Sequence, residues 1–322
     1  MEHDARIYIA GHSGLVGSAL ERALRKAGYE NLILATHAEL DLCDQAATRA
    51  FFRETQPAYV FLAAATVGGI GANSSAPARF IADNLAIALN VIEAARESGV
   101  NKLLNLGSSC IYPRLAPQPI KEEALLTGPL EPTNEAYAVA KIAAIELCMA
   151  SNQQYGTDFL SLMPTNLYGL GDTYDREGAH VIPAMIAKFD DARRAGAPEV
   201  ELWGDGSPLR EFLWADDLAD AALFLMERFT ARQIGAWINV GSGQEVSIKT
   251  LAEMVRAVVF TGVEPDKLPR IIWDPTKPNG TPRKLLDSSR IQALGWSAST
   301  PLNEGLRRAC EDYRAKRIDV YA

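Results

Sequence analysis

Gly11-His12-Ser13-Gly14-Leu15-Val16-Gly17 follows an apolar run at residues 6–10 and opens a helical pattern over 16–27 that Gly28 closes. A strand turning through glycines into a helix lets backbone approach a ligand closely. The helix N-terminus then offers amide groups and a positive dipole end to a pyrophosphate. The spacing here is G-x-x-G-x-x-G rather than the commoner G-x-G-x-x-G, so context must separate a dinucleotide site from an ordinary strand-to-helix turn. That context is repetitive. Strands are expected at 31–35, 59–65, 102–106 and 158–163, and helices at 45–54, 84–98 and 135–155. Such alternation implies crossover units and an α/β fold whose doubly wound parallel sheet is covered on both faces.

After Pro164 the pattern changes. A polar loop over 169–178 leads to a helix over 181–195, a strand at 200–203 and a turn at 204–208. A helix near 216–227 and a strand at 236–240 read as a return to the first domain, and a Pro- and Gly-rich loop spans 274–282. Two interleaved parts are expected: a Rossmann-type dinucleotide-binding domain (1–167 plus 211–241) and a smaller α/β substrate-binding domain (168–210 plus 242–322). The composition, 48% hydrophobic and 22% charged over 322 residues, is that of a globular protein. A net charge of -8 argues against nucleic acid or an anionic membrane as the main partner, while leaving room for an anionic small substrate. The four cysteines (43, 110, 148, 310) lack paired spacing, so neither a metal site nor a disulfide framework is expected, and free thiols fit a cytoplasmic setting. No signal peptide is visible, and no apolar run reaches the ~18–20 residues of a membrane span.

Tyr137 and Lys141 stand at i,i+4 in a helical pattern, on one face. A free phenol has a pKa of ~10, and a nearby ammonium is expected to bring it closer to neutrality. In a carbonyl reduction the cofactor delivers hydride to carbon while such a tyrosine protonates the oxygen. Ser108, just past the strand at 102–106, stands where ligands bind in doubly wound sheets and can donate a second hydrogen bond to that oxygen. Beyond the second strand the chain reads Thr36-His37-Ala38, with no carboxylate for a ribose 2′-hydroxyl until Glu39. This leans towards NADP, although no arginine is present there to hold a 2′-phosphate; Asp41 and Leu42 are candidates for the adenine edge.

The chain resembles the extended short-chain dehydrogenase/reductases, and within them the branch that converts GDP-4-keto-6-deoxy-D-mannose to GDP-L-fucose. The resemblance runs through nearly the whole chain. It is carried by Gly107-Ser108-Ser109-Cys110-Ile111-Tyr112-Pro113, Glu131-Pro132-Thr133-Asn134-Glu135-Ala136-Tyr137, Met163-Pro164-Thr165-Asn166-Leu167-Tyr168-Gly169, His180-Val181-Ile182-Pro183 and Gly280-Thr281-Pro282-Arg283-Lys284. It implies 3,5-epimerisation followed by NADPH-dependent 4-reduction at one site. C3 and C5 both lie alpha to the C4 ketone, so donors that stabilise the reduction also stabilise an enolate at the same oxygen.

By themselves Cys110 and His180 read more readily as a packing cysteine and a helix-start residue than as catalytic groups. The resemblance makes them base and acid, beside Ser108, Tyr137 and Lys141. It assigns cofactor contacts to Gly11, Ser13, Gly14, Leu15, Val16, Gly17, His37, Asp41, Leu42, Ala63, Leu106, Lys141, Pro164, Asn166, Leu167 and His180. Substrate contacts fall to Asn166, Lys188, Trp203, Arg210 and Asn279, with Arg210 offering a planar fork to a diphosphate and Trp203 a surface for guanine.

The chain departs from the branch at several of these positions. Ser13 and His37 stand where members carry arginines, Lys188 where arginine is common and Asn279 where aspartate is frequent. A homodimer through the helices at 84–98 and 135–155 is a further implication. A 4-epimerase or 4,6-dehydratase of the same superfamily fits less well. Dehydratases carry an acidic pair where this chain has Ser109-Cys110, and a 4-epimerase leaves Cys110 with His180 unexplained. A non-catalytic dinucleotide sensor would lack the Tyr137/Lys141 pair.

Overall fold

From the glycine loop outward the chain builds β1 (Ile7–Ala10), α1 (Leu15–Lys26), β2 (Leu32–Ile33), α2 (Gln45–Thr55), β3 (Tyr59–Leu62), α3 (Ile70–Ser75), α4 (Pro77–Glu97), β4 (Lys102–Leu106), α5 (Glu135–Tyr155) and β5 (Phe159–Pro164). The second half continues with β6 (Asn166–Tyr168), α6 (Val181–Ala195), β7 (Glu199–Trp203), β8 (Leu209–Trp214), α7 (Ala215–Arg228), α8 (Ala231–Ile234), β9 (Trp237–Val240) and β10 (Glu245–Ser247). It closes with α9 (Ile248–Val259), β11 (Arg270–Asp274), β12 (Arg283–Lys284), α10 (Ser289–Ala293) and α11 (Leu302–Tyr321). This computed structural model describes residues 1–174, 179–277 and 279–321. Residues 175–178 of the expected polar loop and residue 278 of the expected Pro/Gly-rich loop lie outside the described residues.

Among the described residues the main sheet has the order β2-β1-β3-β4-β5-β9, parallel throughout. β1, β3, β4 and β5 are buried along their whole length, as a sheet covered on both faces requires. One face packs on α1 and α7, through Leu20, Leu24, Leu218 and Leu225. The other packs on α2, α4 and α5, through Phe52, Val91, Ile92 and Ala144. The sheet order reverses between β1 and β3, and there the glycine loop opens a crevice. β9 returns to the edge of this sheet, as expected, paired with β5.

Several expected elements differ in extent. α4 begins at Pro77, seven residues before the expected start at 84, because a proline in the first helical turn gives up an amide that would have had no partner there. β2 is limited to Leu32–Ile33, a short edge strand. Outside the main sheet lie five strands the pattern did not reveal, β6, β8, β10, β11 and β12. β8 pairs with β10, β12 and β6, and β7 pairs with β11. Around them Tyr168, Trp214, Phe189, Leu251 and Leu306 form a second core. No helix among the described residues is long and apolar enough to cross a membrane.

Candidate active site

The cofactor crevice is shaped by backbone. Gly11 has φ +81°, and a Cβ there would lie 2.7 Å from the Ala64 backbone; one at Gly17 would lie 2.0 Å from the Gly11 carbonyl oxygen. Only hydrogen fits at either position. The N-terminus of α1 has no side-chain cap and no acidic residue in its first turn, so its amides face the crevice free for an anion. His12 Nδ1 is buried with no hydrogen-bond partner. These features fit a pyrophosphate-bearing dinucleotide. Gly17→Ala is expected to displace the first turn of α1 and weaken NADPH binding at least tenfold. Cofactor titration by nucleotide fluorescence checks this, and an unchanged Kd would refute the close-approach argument.

At the ribose end, Glu39 Oε2 accepts hydrogen bonds from Thr36 N and Thr36 Oγ1, both at 2.8 Å, so that carboxylate is engaged in a local turn. His37 is exposed and lies 4.0 Å from Asp41. The Leu42 side chain is turned into the core beside Tyr8 and Leu40, and its carbonyl accepts from Asn90, so it presents no side chain to an adenine.

Ser108, Cys110 and Tyr137 meet beyond the carboxyl end of β4, in a cleft of about 350 Å³ that Asn166, Leu167, His180, Lys188, Trp203, Arg210 and Asn279 also line. The local fold explains the display of Cys110. Ser108 caps a 3₁₀ turn over Ser109–Ile111 by accepting from Cys110 N at 3.2 Å. Ile111 is fully buried, and the Tyr112 hydroxyl donates to Asn239 Oδ1 at 2.6 Å. With its successors anchored in the core, Cys110 projects into the cleft.

Tyr137 and Lys141 lie one turn apart on α5, with Lys141 Nζ 5.8 Å from the phenol ring centroid. Lys141 is buried, its Nζ donates to the Leu106 carbonyl at 2.8 Å, and burial pulls its pKa down to about 8. The expected lowering of the Tyr137 pKa by this ammonium is not observed. Burial pushes the phenol upward, the charge on Cys110 adds to that, and a hydrogen bond with Ser108 opposes both. Tyr137 therefore keeps its proton at neutral pH.

Cys110 stands apart from the other thiols. Asn134 Nδ2 donates to its sulfur at 3.2 Å and Lys284 Nζ at 3.5 Å. Burial works to raise its pKa, but the Lys284 ammonium, the Ser108 hydroxyl and the Asn134 amide outweigh that, and Cys110 lies below the ordinary thiol range. Burial pushes Cys148, in the core, up to about 12. His180 stands at the N-cap position of α6 on the cleft wall without capping the helix through its side chain; the imidazole is solvent-exposed, but the surrounding protein, and then Lys284, lower its pKa.

On the opposite wall β12 lies parallel to β8 with Lys284 in register with Arg210. Arg210 donates to the Leu209 and Asn279 carbonyls, at 2.8 and 3.4 Å. Lys188 donates to the Glu201 carbonyl at 3.0 Å, and Trp203 lies between Lys188 and Lys277, whose Nζ atoms are 5.9 and 5.4 Å from its ring. Asn279 Oδ1 accepts from Asp205 N at 3.1 Å, which closes the loop over this wall. The residues that sequence reasoning missed are Asn134 and Lys284. Both lie inside the quoted segments, but neither touches Cys110 by sequence proximity, Lys284 being 174 residues away.

With this geometry in view, comparison with known proteins is specific. The profile of the NAD dependent epimerase/dehydratase family matches residues 7–241. GDP-L-fucose synthase 1 of Arabidopsis thaliana is 54% identical over 313 residues, 97% of this chain and 94% of its own. GDP-L-fucose synthase of Escherichia coli (strain K12) is 48% identical over 308 residues, 94% of each chain. A solved GDP-L-fucose synthetase from Naegleria fowleri bound to NADP is similar at a TM-score of 0.87 and 27% identity, covering 99% of this chain and 96% of that one. The matched profile spans the dinucleotide-binding sheet, the relatives extend through the second core, and the chain belongs to the NAD dependent epimerase/dehydratase family, in its GDP-L-fucose synthase branch.

Proposed function

We propose that this protein epimerises C3 and C5 of GDP-4-keto-6-deoxy-D-mannose and reduces the C4 ketone with NADPH, yielding GDP-L-fucose. The observation that carries this reading is the meeting, in one cleft, of a hydroxyl pair for a carbonyl oxygen with a cysteine held by a lysine and an amide. Gly11, Ser13, Gly14, Leu15, Val16 and Gly17 cradle the pyrophosphate. Ala63, Leu106, Lys141, Pro164, Asn166, Leu167 and His180 serve the nicotinamide half, and His37 with Asp41 the adenosine half. NADPH supplies the hydride to C4.

The chain's own groups do the rest. Ser108 and Tyr137 donate hydrogen bonds to the C4 oxygen, which acidifies the protons on C3 and C5. At each centre in turn Cys110 as thiolate removes the proton from one face, and His180 delivers a proton to the opposite face. Burial and the Lys284 ammonium favour the neutral imidazole; the negative charge of a bound diphosphate acts in the opposite direction, so protonation of His180 is coupled to substrate binding. Once both centres are inverted, Tyr137 gives its proton to the oxygen as the ketone is reduced. Arg210 and Lys188 meet the diphosphate, Trp203 the guanine, and Asn166 and Asn279 complete the grip.

The division of labour follows the interleaving of 1–167 plus 211–241 with 168–210 plus 242–322. The working unit is a cytoplasmic homodimer, a reading supported by the exposed apolar side chains of Leu85 and Leu89 on α4 and Val139 on α5. The test is incubation with GDP-4-keto-6-deoxy-D-mannose and NADPH, with the product resolved by NMR. GDP-L-fucose is expected, together with a higher kcat/KM for NADPH than for NADH. A 4-reduced sugar with C3 and C5 unchanged would remove the epimerase half, and a strong NADH preference would overturn the cofactor assignment.

A further inference from the structure

β12 is only two residues long, yet it is fixed with unusual care. Glu211, fully buried on the neighbouring β8, accepts from Leu286 N at 3.1 Å and from Gly243 N at 2.7 Å, tying both the chain just after β12 and the loop before β10 to β8. Arg283 makes a two-pronged ion pair with Glu245 on β10, at 2.8 and 2.6 Å. These contacts hold the β12 register in which Lys284 stands beside Arg210. They also aim Lys284 Nζ across the cleft at the sulfur of Cys110, 3.5 Å away. Asn134, the last residue of a 3₁₀ turn and the N-cap position of α5, donates its amide to the same sulfur at 3.2 Å. No carboxylate is paired with Lys284 among the described residues.

We propose that Lys284 is a positioning residue for the epimerase half-reaction: its ammonium, with the Asn134 amide, holds Cys110 as the thiolate that takes the C3 and C5 protons. The proposal deepens the assignment of Cys110 as base and rests on it. In each proton removal a sulfur lone pair forms the S–H bond. The C–H electron pair becomes the enolate double bond, and the carbonyl π pair moves to the C4 oxygen held by Ser108 and Tyr137. Negative charge thus leaves sulfur for oxygen while the ammonium stays in place. An unassisted cysteine is only a few per cent thiolate at pH 7, so a neighbouring cation enlarges the competent fraction directly. The charged and titratable groups around this sulfur are Lys284 on β12, Tyr137 on α5 and Arg210 on β8. Glu131 faces Arg210, and His180 faces Lys284 from the start of α6. Of these, Lys284 is the cation within hydrogen-bonding reach of the sulfur.

The test uses Lys284→Gln, which removes the charge but keeps a donor, and Lys284→Arg, which keeps the charge. Iodoacetamide labelling of the Cys110 peptide, followed by mass spectrometry across pH, reads the thiolate without substrate and separately from the exposed Cys43. In Lys284→Gln the labelling midpoint is expected to rise by about one to two pH units. The ascending limb of C3/C5 solvent-deuterium exchange should rise with it, and Lys284→Arg should return both towards wild type. A Lys284→Gln labelling profile superimposed on wild type overturns the proposal, as does a shift that Lys284→Arg leaves in place. Because labelling needs no sugar, its outcome is separable from that of the product assay, which tests the proposed activity itself.

Discussion

Tyr137→Phe is expected to lower kcat for NADPH oxidation by about a thousandfold while C3/C5 deuterium exchange persists at a reduced rate. The asymmetry follows from what each step asks of the phenol. Reduction leaves an alkoxide that must be protonated, and Tyr137 is the proton-bearing group in the cleft placed for it. Burial and the Cys110 charge keep that proton on the phenol at neutral pH, the form a donor requires. General acid catalysis of this kind contributes about 10²–10⁴-fold. Enolisation asks only for hydrogen bonds to the oxygen, and Ser108 still supplies one; losing one of two such donors is expected to cost about 10²-fold, less than the loss of the proton donor. Stopped-flow NADPH absorbance and NMR exchange in D₂O separate the two. Near wild-type oxidation would end the proton-donor role. Exchange abolished as completely as oxidation would mean that Ser108 alone cannot polarise the ketone.

Much of this arrangement is legible in the sequence, and the reasons are local. The glycine loop, the strand over Lys102–Leu106 and the helix over Glu135–Tyr155 carry their signals within a few residues of where they act, so Tyr137, Lys141 and Ser108 could be placed by spacing. β8 was hidden because Leu209-Arg210-Glu211-Phe212 alternates badly: Glu211 sits fully buried where an apolar residue would mark a strand face. Its carboxylate is tolerated by the backbone amides of Gly243 and Leu286, partners that no local pattern announces. Lys284 was invisible for the same reason. A two-residue strand has no periodicity, and its ammonium matters only through a contact with Cys110. Spacing misstates the effect of Lys141 on Tyr137, because an i,i+4 rule weighs proximity and ignores burial. In this cleft burial is the larger influence on both residues. Burial likewise draws the Leu42 side chain into the core.

Cys110→Ser separates the two chemistries from the other direction. An alcohol holds its proton far more tightly than a thiol, and neither the Lys284 ammonium nor the Asn134 amide is strong enough to make it a base at neutral pH. Solvent-deuterium exchange at C3 and C5 is therefore expected to fall by at least about a hundredfold. The reducing groups are untouched, and Tyr137 is relieved of the neighbouring negative charge that helps to hold its proton. Residual NADPH oxidation in Cys110→Ser should accordingly yield a GDP-6-deoxy sugar reduced at C4 with its C3 and C5 configurations unchanged. Isolation of GDP-L-fucose from this variant at a wild-type rate would assign the base to another residue. It would also detach Lys284 from the epimerase chemistry, since its reach into the cleft is through that sulfur. Loss of all oxidation together with exchange would instead mean that the reductase accepts only the inverted sugar, which makes epimerisation an obligatory gate rather than a parallel step.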